Sequence, residues 1–440
     1  MALHNRICFQ IMIQANQFDA IVVGGGPAGS TTAALLAEHG RRVLLLEKER
    51  FPRYHVGESL MPFCYFPLER LGVIPEMDRL GFTQKLSVQF VTQDGGKSQP
   101  FYFFQHHDHP SSTTWQVNRD EFDLMLLENA ESKGAQVRQE TKVRSFLKGE
   151  AGEVIGVEAE HSDGQVIEYF APITIDATGR DSMAVTKNRW RERDPKLNKV
   201  ALWTYYRGAM RDEGLAAGST TVAYLPERGW FWYIPLKNDI VSVGIVAERD
   251  YLFAESRDPA TVMANSIEDN AWIKDHLSVG EQFGEYWVTG EYSYRSRYCA
   301  TDGLMLVGDA FAFLDPVFSS GVFFALKSGQ MAADAVHAAL EKGDTSASQF
   351  DSYGQQICEG VELMRKIVYA FYDESFSFGK LIRKYPDLRP DLTDCLIGNL
   401  EKHDFQELVS AMGEFAQMPG ELAHGRRGLS VAEPAVLPEV

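Results

Sequence analysis

The residues best suited to chemistry stand in a few short stretches. They are Gly24-x-Gly26-x-x-Gly29, Lys85, Trp230-Phe231-Trp232-Tyr233-Ile234-Pro235, and the span from Asp309 to Gly321. The three glycines follow an apolar run, Phe18 to Val23, and open a helical one, Ser30 to His39, that Gly40 closes. Gly24 permits a tight turn, Gly26 lets backbone approach a pyrophosphate, and Gly29 lets the helix pack close to the sheet. The helix start adds free N–H groups and a favourable dipole. Glu47 ends the next strand, Arg42 to Leu46, about 20 residues on, where an acceptor for a ribose hydroxyl belongs. Together these residues predict a bound adenine dinucleotide.

The other stretches admit two readings each. Asp309 lies between the buried strand Leu304 to Val307 and a glycine-rich helix, Gly321 to Leu340. There it suits the polyol of a flavin ribityl chain, and equally an N-cap. Asp315-Pro316-Val317-Phe318-Ser319-Ser320-Gly321 ends in small residues at a helix start, so it can hold an anion or cap the helix. Alternation places Trp230 and Trp232 on one face of a strand and Phe231 and Tyr233 on the other, with Pro235 ending it. Such aromatics build walls, in a core or beside a cofactor. Lys85 starts a strand in a mostly uncharged segment. A lysine there is usually solvated, but one set near apolar walls favours its neutral form and can act as nucleophile or donor.

The elements that position these residues are interleaved along 440 residues, 45% of them hydrophobic and 12% aromatic. An N-terminal extension covers 1–17. A discontinuous α/β domain, doubly wound and Rossmann-like, takes 18–100, 116–185 and 299–345. A β-rich lobe takes 101–115 and 186–298, a helical region 346–423, and a disordered tail 424–440. No apolar run reaches the roughly 20 residues of a membrane helix. The short patch Ile7 to Ile13 carries no small-residue cleavage site, which argues against a secretory signal. Five widely spaced cysteines without a CxxC fit reduced thiols and a cytoplasmic location. A net charge of −18 argues against nucleic acid as a partner. His106, His107 and His109 cluster with Asp108 but lack the spacing of a metal site, so none is expected.

The order Gly24–Gly29, Glu47, Arg119, Asp176-Ala177-Thr178-Gly179, Asp309 resembles the flavoprotein monooxygenases of the para-hydroxybenzoate hydroxylase type. The resemblance implies FAD, contacted by Gly24, Gly26, Gly29, Glu47, Arg119, Asp309 and Gly321. With His55-Val56-Gly57-Glu58-Ser59, Trp115-Gln116-Val117-x-Arg119, the WFWYIP run and DPVFSSG, the chain resembles the flavin-dependent halogenases over about residues 18 to 345. The match is to the branch acting on phenols and pyrroles. That resemblance implies reduced FAD from a separate flavin reductase, O2, and chloride or bromide held by Ser319, Ser320 and Gly321. It implies hypohalous acid relayed by a catalytic Lys85 to an aromatic substrate, free or tethered to a carrier protein, with Trp230 and Trp232 between flavin and substrate. The family usually has Phe-Gly after the lysine, where Leu86-Ser87 stands here. Phe318 stands where tryptophan-specific relatives carry a glutamate. The alternatives are a reductase of the geranylgeranyl type or an aromatic monooxygenase on the same fold, and a flavin-binding protein without turnover. Glu58 is expected to be structural or near the flavin, and Tyr205, Tyr206, Tyr292 and Tyr294 to line the substrate lobe or pack in it.

Overall fold

The structure, a computed structural model, describes residues 16–226, 229–290, 293–401 and 404–431. Tyr292 and most of the expected extension and tail lie outside the described residues. A six-stranded sheet forms the cofactor side, in the order Ala300–Thr301, Leu304–Leu306, Thr174–Asp176, Ala20–Val23, Val43–Leu46, Gln136–Arg138. Its strands are parallel except at the Ala300–Thr301 edge. Ala20–Val23 and Val43–Leu46 are buried along their whole length, as continuous apolar strands covered on both faces must be. The helix Pro27–Glu38 starts three residues earlier than the periodicity predicts, with Pro27 in its first turn. That early start brings its first N–H groups onto the glycine loop. The loop after Ala20–Val23 and the loop after Thr174–Asp176 lie side by side, where the connections from the sheet diverge, the usual place for a ligand in such folds.

A seven-stranded sheet forms the second lobe, in the order Glu281–Gly290, Lys199–Arg207, Ile240–Glu248, Trp230–Pro235, Thr220–Tyr224, Ser87–Val91, Phe101–Tyr102. Ser87–Val91, expected in the cofactor domain, pairs in parallel with Thr220–Tyr224 and so belongs to this sheet. Thr83–Lys85 pairs instead with Thr114–Gln116. The segment 83–116 therefore crosses between lobes, which its strand pattern alone did not reveal. One face of the sheet packs on Pro259–Glu268 and Ala271–Leu277 around Phe231, Tyr233, Val243 and Ile273. The other face joins the main core with the cofactor side and the helices Ser320–Lys342 and Asp351–Tyr372.

The C-terminal segment departs from the expected disorder. Gly425 donates to Arg297 O, Leu429 donates to Ala300 O, and Leu429 bridges Thr301, so residues 424–431 form part of the fold. A buried ion cluster anchors the chain just before them. Arg365 reaches Asp194 at 2.5 Å and Gly420 O at 3.0 Å, and Arg295 reaches Glu362 and Leu422 O, both at 2.8 Å. Its backbone is satisfied by strand edges and arginines far upstream, which no local pattern in the segment shows.

Candidate active site

The glycine loop is shaped by backbone contact. Gly24 has φ +106°, and a Cβ there would stand 2.4 Å from Ala177 O. A Cβ on Gly29 would stand 1.9 Å from Gly24 O. At Gly26 the nearest atom would be 3.7 Å away, because that position faces a cavity. The cavity, of about 590 Å³, is lined by Gly24, Gly26, Glu47, Arg119, Asp309, Trp230, Trp232, Ser319 and Gly321, among others. Gly29 sits beneath the lining and serves helix packing. Glu47 accepts from Gly25 N at 2.7 Å and from Glu49 N at 2.8 Å, so its carboxylate is fixed at the cavity wall.

Arg119 opens the helix Arg119–Ser132 and forks onto Asp123 at 2.8 and 3.0 Å. Its remaining nitrogen donates to Val56 O at 2.7 Å. Asp123 also accepts from Arg53 at 2.9 Å, so one buried carboxylate sets two cavity-lining guanidiniums. Burial pushes the Asp309 carboxyl up to about 6 against the pull of Arg180 and Arg119. Arg53 and Arg180 were not singled out from sequence, since neither lies in a motif.

The strand Trp230–Pro235 is buried throughout and alternates as expected. Trp230, Trp232 and Ile234 line the cavity, while Phe231 and Tyr233 pack in the separate core behind. Space for Trp232 comes from Gly244 opposite, where a Cβ would stand 2.2 Å from the indole. Trp232 Nε1 donates to Ser242 Oγ at 3.0 Å. Trp230 Nε1 donates to Tyr372 OH at 2.8 Å, and Tyr372 OH donates to Asp315 Oδ2 at 2.9 Å. The wall is thus tied through a C-terminal helix to the DPVFSSG loop. Burial pushes Asp315 up to about 6, against the Tyr372 hydrogen bond. Ser319 and Gly321 line the cavity, whereas Ser320 is buried outside the lining and its hydroxyl meets no partner among the described residues. Phe318 packs edge-to-face on Phe371 and Phe378, at 5.8 and 6.0 Å.

Lys85 is 2% exposed. Its ammonium donates to Ser59 Oγ at 2.9 Å and to Leu60 O at 3.1 Å, and lies 5.7 Å from the Phe103 ring centre. Ser59 Oγ in turn meets Thr220 Oγ1 at 2.8 Å, which also accepts from Gln116 Nε2 at 2.8 Å. Ser59 and Thr220 line the cavity, and Lys85 stands directly behind them rather than in the lining. Burial pulls the Lys85 ammonium down to about 7, opposed only by Cys64. Among the described residues it has two neutral partners and no carboxylate, so the charge is uncompensated and desolvation wins. Among the described residues, the link from the cavity to Lys85 runs through the hydroxyls of Ser59 and Thr220. Of the tyrosines, Tyr205 borders a second crevice and Tyr294 donates to Asp309 O at 2.8 Å. His106 stacks on Phe101 at 4.5 Å and His109 on Phe66 at 5.2 Å.

Comparison with known proteins agrees with this arrangement. The tryptophan halogenase family matches residues 19–112 and 105–377. The chain is 31% identical over 390 residues to a 1H-pyrrole-2-carbonyl-[peptidyl-carrier protein] brominase of Pseudoalteromonas luteoviolacea, covering 88% of this chain and 93% of that protein. It is 29% identical over 420 residues to the corresponding chlorinase of Pseudomonas fluorescens, covering 91% and 93%. This chain is a flavin-dependent halogenase. The solved structure of a flavin-dependent brominase superposes with a TM-score of 0.83 at 27% identity, over 90% of this halogenase and 98% of the brominase. A myxobacterial chondrochloren halogenase gives 0.76 at 31% identity, over 91% and 96%. The α/β fold and the flavoprotein assignment read from the sequence therefore hold, and FAD and halide are the halogenase's cofactor and co-substrate. The cavity fits FAD in chemistry: backbone N–H groups at Gly24–Gly26, a fixed acceptor at Glu47, cations at Arg53, Arg119 and Arg180, and an acid at Asp309. No helix among the described residues is long and apolar enough to cross a membrane.

Proposed function

We propose that this halogenase transfers chlorine or bromine to an electron-rich ring of the phenol or pyrrole class, presented as an acyl group on a carrier protein, and that Lys85 carries the halogen. Reduced FAD, supplied by a separate flavin reductase, provides the electrons that with O2 turn a halide ion into hypohalous acid. Gly24, Gly26, Glu47, Arg119 and Asp309 hold the cofactor, and Gly29 keeps the helix close enough for them to do so. Ser319 and the first N–H groups at Gly321 hold the halide, with Ser320 shaping the turn. Trp230 and Trp232 keep the organic ring off the flavin.

The observation that carries this reading is the buried Lys85 amine, pulled down to about 7 and hydrogen-bonded to the cavity-lining Ser59. A neutral amine can take halogen from hypohalous acid, forming N–X and releasing water. The aromatic carbon then takes the halogen, its C–H proton leaves, and the amine is restored. Phe318, packed on Phe371 and Phe378, stands where tryptophan-specific relatives carry a glutamate, so that position offers no carboxylate to an amino-acid substrate. The two pyrrole-carrier relatives matched over more than nine-tenths of their length support a tethered substrate.

The test is mass spectrometry of products from free phenols, free pyrroles and a pyrrole-2-carbonyl thioester on a carrier protein. A flavin reductase is supplied, with chloride and bromide in competition. A halide-dependent product on the thioester is expected. Product from free phenols alone would remove the carrier from this reading.

A further inference from the structure

Besides the cofactor cavity, the molecule holds a second crevice of about 330 Å³, lined by Tyr54, Glu58, Tyr205, Phe283 and Trp287. Glu58 borders both spaces, as do Arg53, Tyr54, His55 and Arg119, so these five side chains form the partition between them. Glu58 is 3% exposed, yet among the described residues neither of its oxygens meets a cation within bonding distance. Glu58 Oε1 accepts from Tyr205 OH at 2.6 Å, and Oε2 accepts from Ser242 Oγ at 3.1 Å. Tyr205 OH lies 3.1 Å from Tyr54 OH, and Tyr54 is 46% exposed. Trp203 Nε1 donates into Tyr54 OH at 2.6 Å, which leaves the hydrogen of that hydroxyl for Tyr205. Tyr54 is also stacked on Trp287 at 4.6 Å, so the chain of hydroxyls is held rigidly. On the other side, Trp232 Nε1 donates to Ser242, which donates to Glu58. The indole of the wall and the partition acid therefore share one network.

The reaction needs such a path. Neutral reduced FAD, O2, a halide ion and an aromatic C–H give oxidised FAD, an aryl halide and two waters only if one further proton is taken up. We propose that Glu58, Tyr205 and Tyr54 form a proton relay that delivers this proton from the second crevice to the cofactor cavity. Glu58 gives its carboxyl proton to oxygen being reduced in the cavity. Tyr205 passes its hydroxyl proton to the carboxylate and takes one from Tyr54, which takes one from water. Only O–H bonds break and form, and each member ends as it began. The relay rests on reading the cavity beside Trp232 as the place where hypohalous acid forms.

Supporting electrostatics follow from burial. Burial pushes Glu58 up to about 6, with Tyr205, Ser242 and Arg119 pulling the other way. Burial, then the charge of Glu58, holds the Tyr205 phenol above its usual range, so it relays as a neutral group. The charged and titratable groups facing Glu58 are Arg119, Tyr205 and Tyr54, with Lys85 beyond Ser59.

The test uses the full-length enzyme. Single turnovers with reduced FAD, O2, bromide and a phenol are compared in Tyr205→Phe, Glu58→Gln and the double variant. Each single change is expected to slow product formation about tenfold or more, with FAD affinity within twofold of the parent. The double variant should be no slower than the slower single, because one path is cut twice. Exposed Tyr54→Phe, which threatens folding least, should slow the reaction in the same direction by a smaller factor. In cofactor-free protein, infrared difference spectra follow the Glu58 carboxyl, identified by its loss in Glu58→Gln. Tyr205→Phe should raise its midpoint, since a hydrogen bond to the carboxylate is lost. Tyr205→Phe turning over within twofold of the parent, or losses that multiply in the double variant, would overturn the relay. If Lys85→Ala also kept full activity, the reading of the chamber itself would be wrong; loss in Lys85→Ala with none in Tyr205→Phe sinks the relay alone.

Discussion

The glycine loop and the surroundings of Lys85 border one cavity but are held differently. Gly24 to Gly29 is a single stretch whose shape is set by backbone atoms of its own turn and of Ala177. Lys85 is held by side chains and carbonyls drawn from separated segments: Ser59 lies 26 residues away in sequence, and Thr220 a further 161 from Ser59. The first region tolerates no added atom at two positions. The second tolerates small shifts but depends on which groups surround one amine. A loop that must bind any FAD can be built from local geometry, whereas an amine that must stay uncharged needs an environment only the folded lobes supply.

The sharpest break in this contrast should come at Gly29. In Gly29→Ala the new Cβ meets the Gly24 carbonyl, backbone that cannot swing aside, and crowds the Ala177 methyl. Overpacking of about 1–3 kcal/mol or more is expected, seen as a lower Tm together with FAD affinity weakened at least tenfold. Gly26→Ala, whose Cβ points into the cavity, should weaken FAD while leaving Tm near the parent value. Equal effects in the two variants would mean that the loop is not divided into a packing glycine and a facing one.

Next in size is Gly244→Ala, on the Lys85 side of the comparison. Its Cβ would displace the Trp232 indole and break the contact to Ser242. A loss of about 1–3 kcal/mol in stability and more peroxide released per halogenated product are expected, measured by denaturant melts and product accounting. Tyr372→Phe should follow. It removes the hydroxyl joining Trp230 to Asp315 and leaves both short of a partner, costing about 1–3 kcal/mol and raising the KM for halide severalfold. An unchanged halide KM would separate the wall from the loop.

The smallest effect is a dependence on pH. Lys85 is lowered from 10.5 to about 7, so between these values the unfolded chain binds the extra proton and stability rises with pH. The penalty is full below about pH 7 and fades toward 10.5. Lys85→Met should therefore gain most in Tm relative to the parent at pH 6–7, with the gap narrowing toward pH 10. A gap that widens with pH would show that the amine is not desolvated.

The same contrast explains what could be read from the chain. The dinucleotide loop, Glu47 and the two faces of WFWYIP were legible because each depends on neighbours in sequence or on a period of two. Lys85 was not legible from physics: Thr83–Lys85 is a three-residue strand, and its burial comes from Ser59, Phe103 and Thr114 brought over it by pairing across lobes. Only the family resemblance singled it out. Gly244, Tyr372 and Arg53 carried no local signal, and although Glu58 and Tyr205 were noticed, nothing local linked them to each other or to Tyr54, since each matters through a partner distant in sequence. The tail at 424–431 was misread for the same reason.

The most direct test of the central claim is a single turnover of Lys85→Ala with reduced FAD, O2 and bromide, measuring halogenated aromatic and FAD affinity side by side. Loss of product by about 10²–10⁴-fold, with FAD binding intact, is the result expected of an amine that carries the halogen past the tryptophan wall. Halogenation at the parent rate in Lys85→Ala would contradict it.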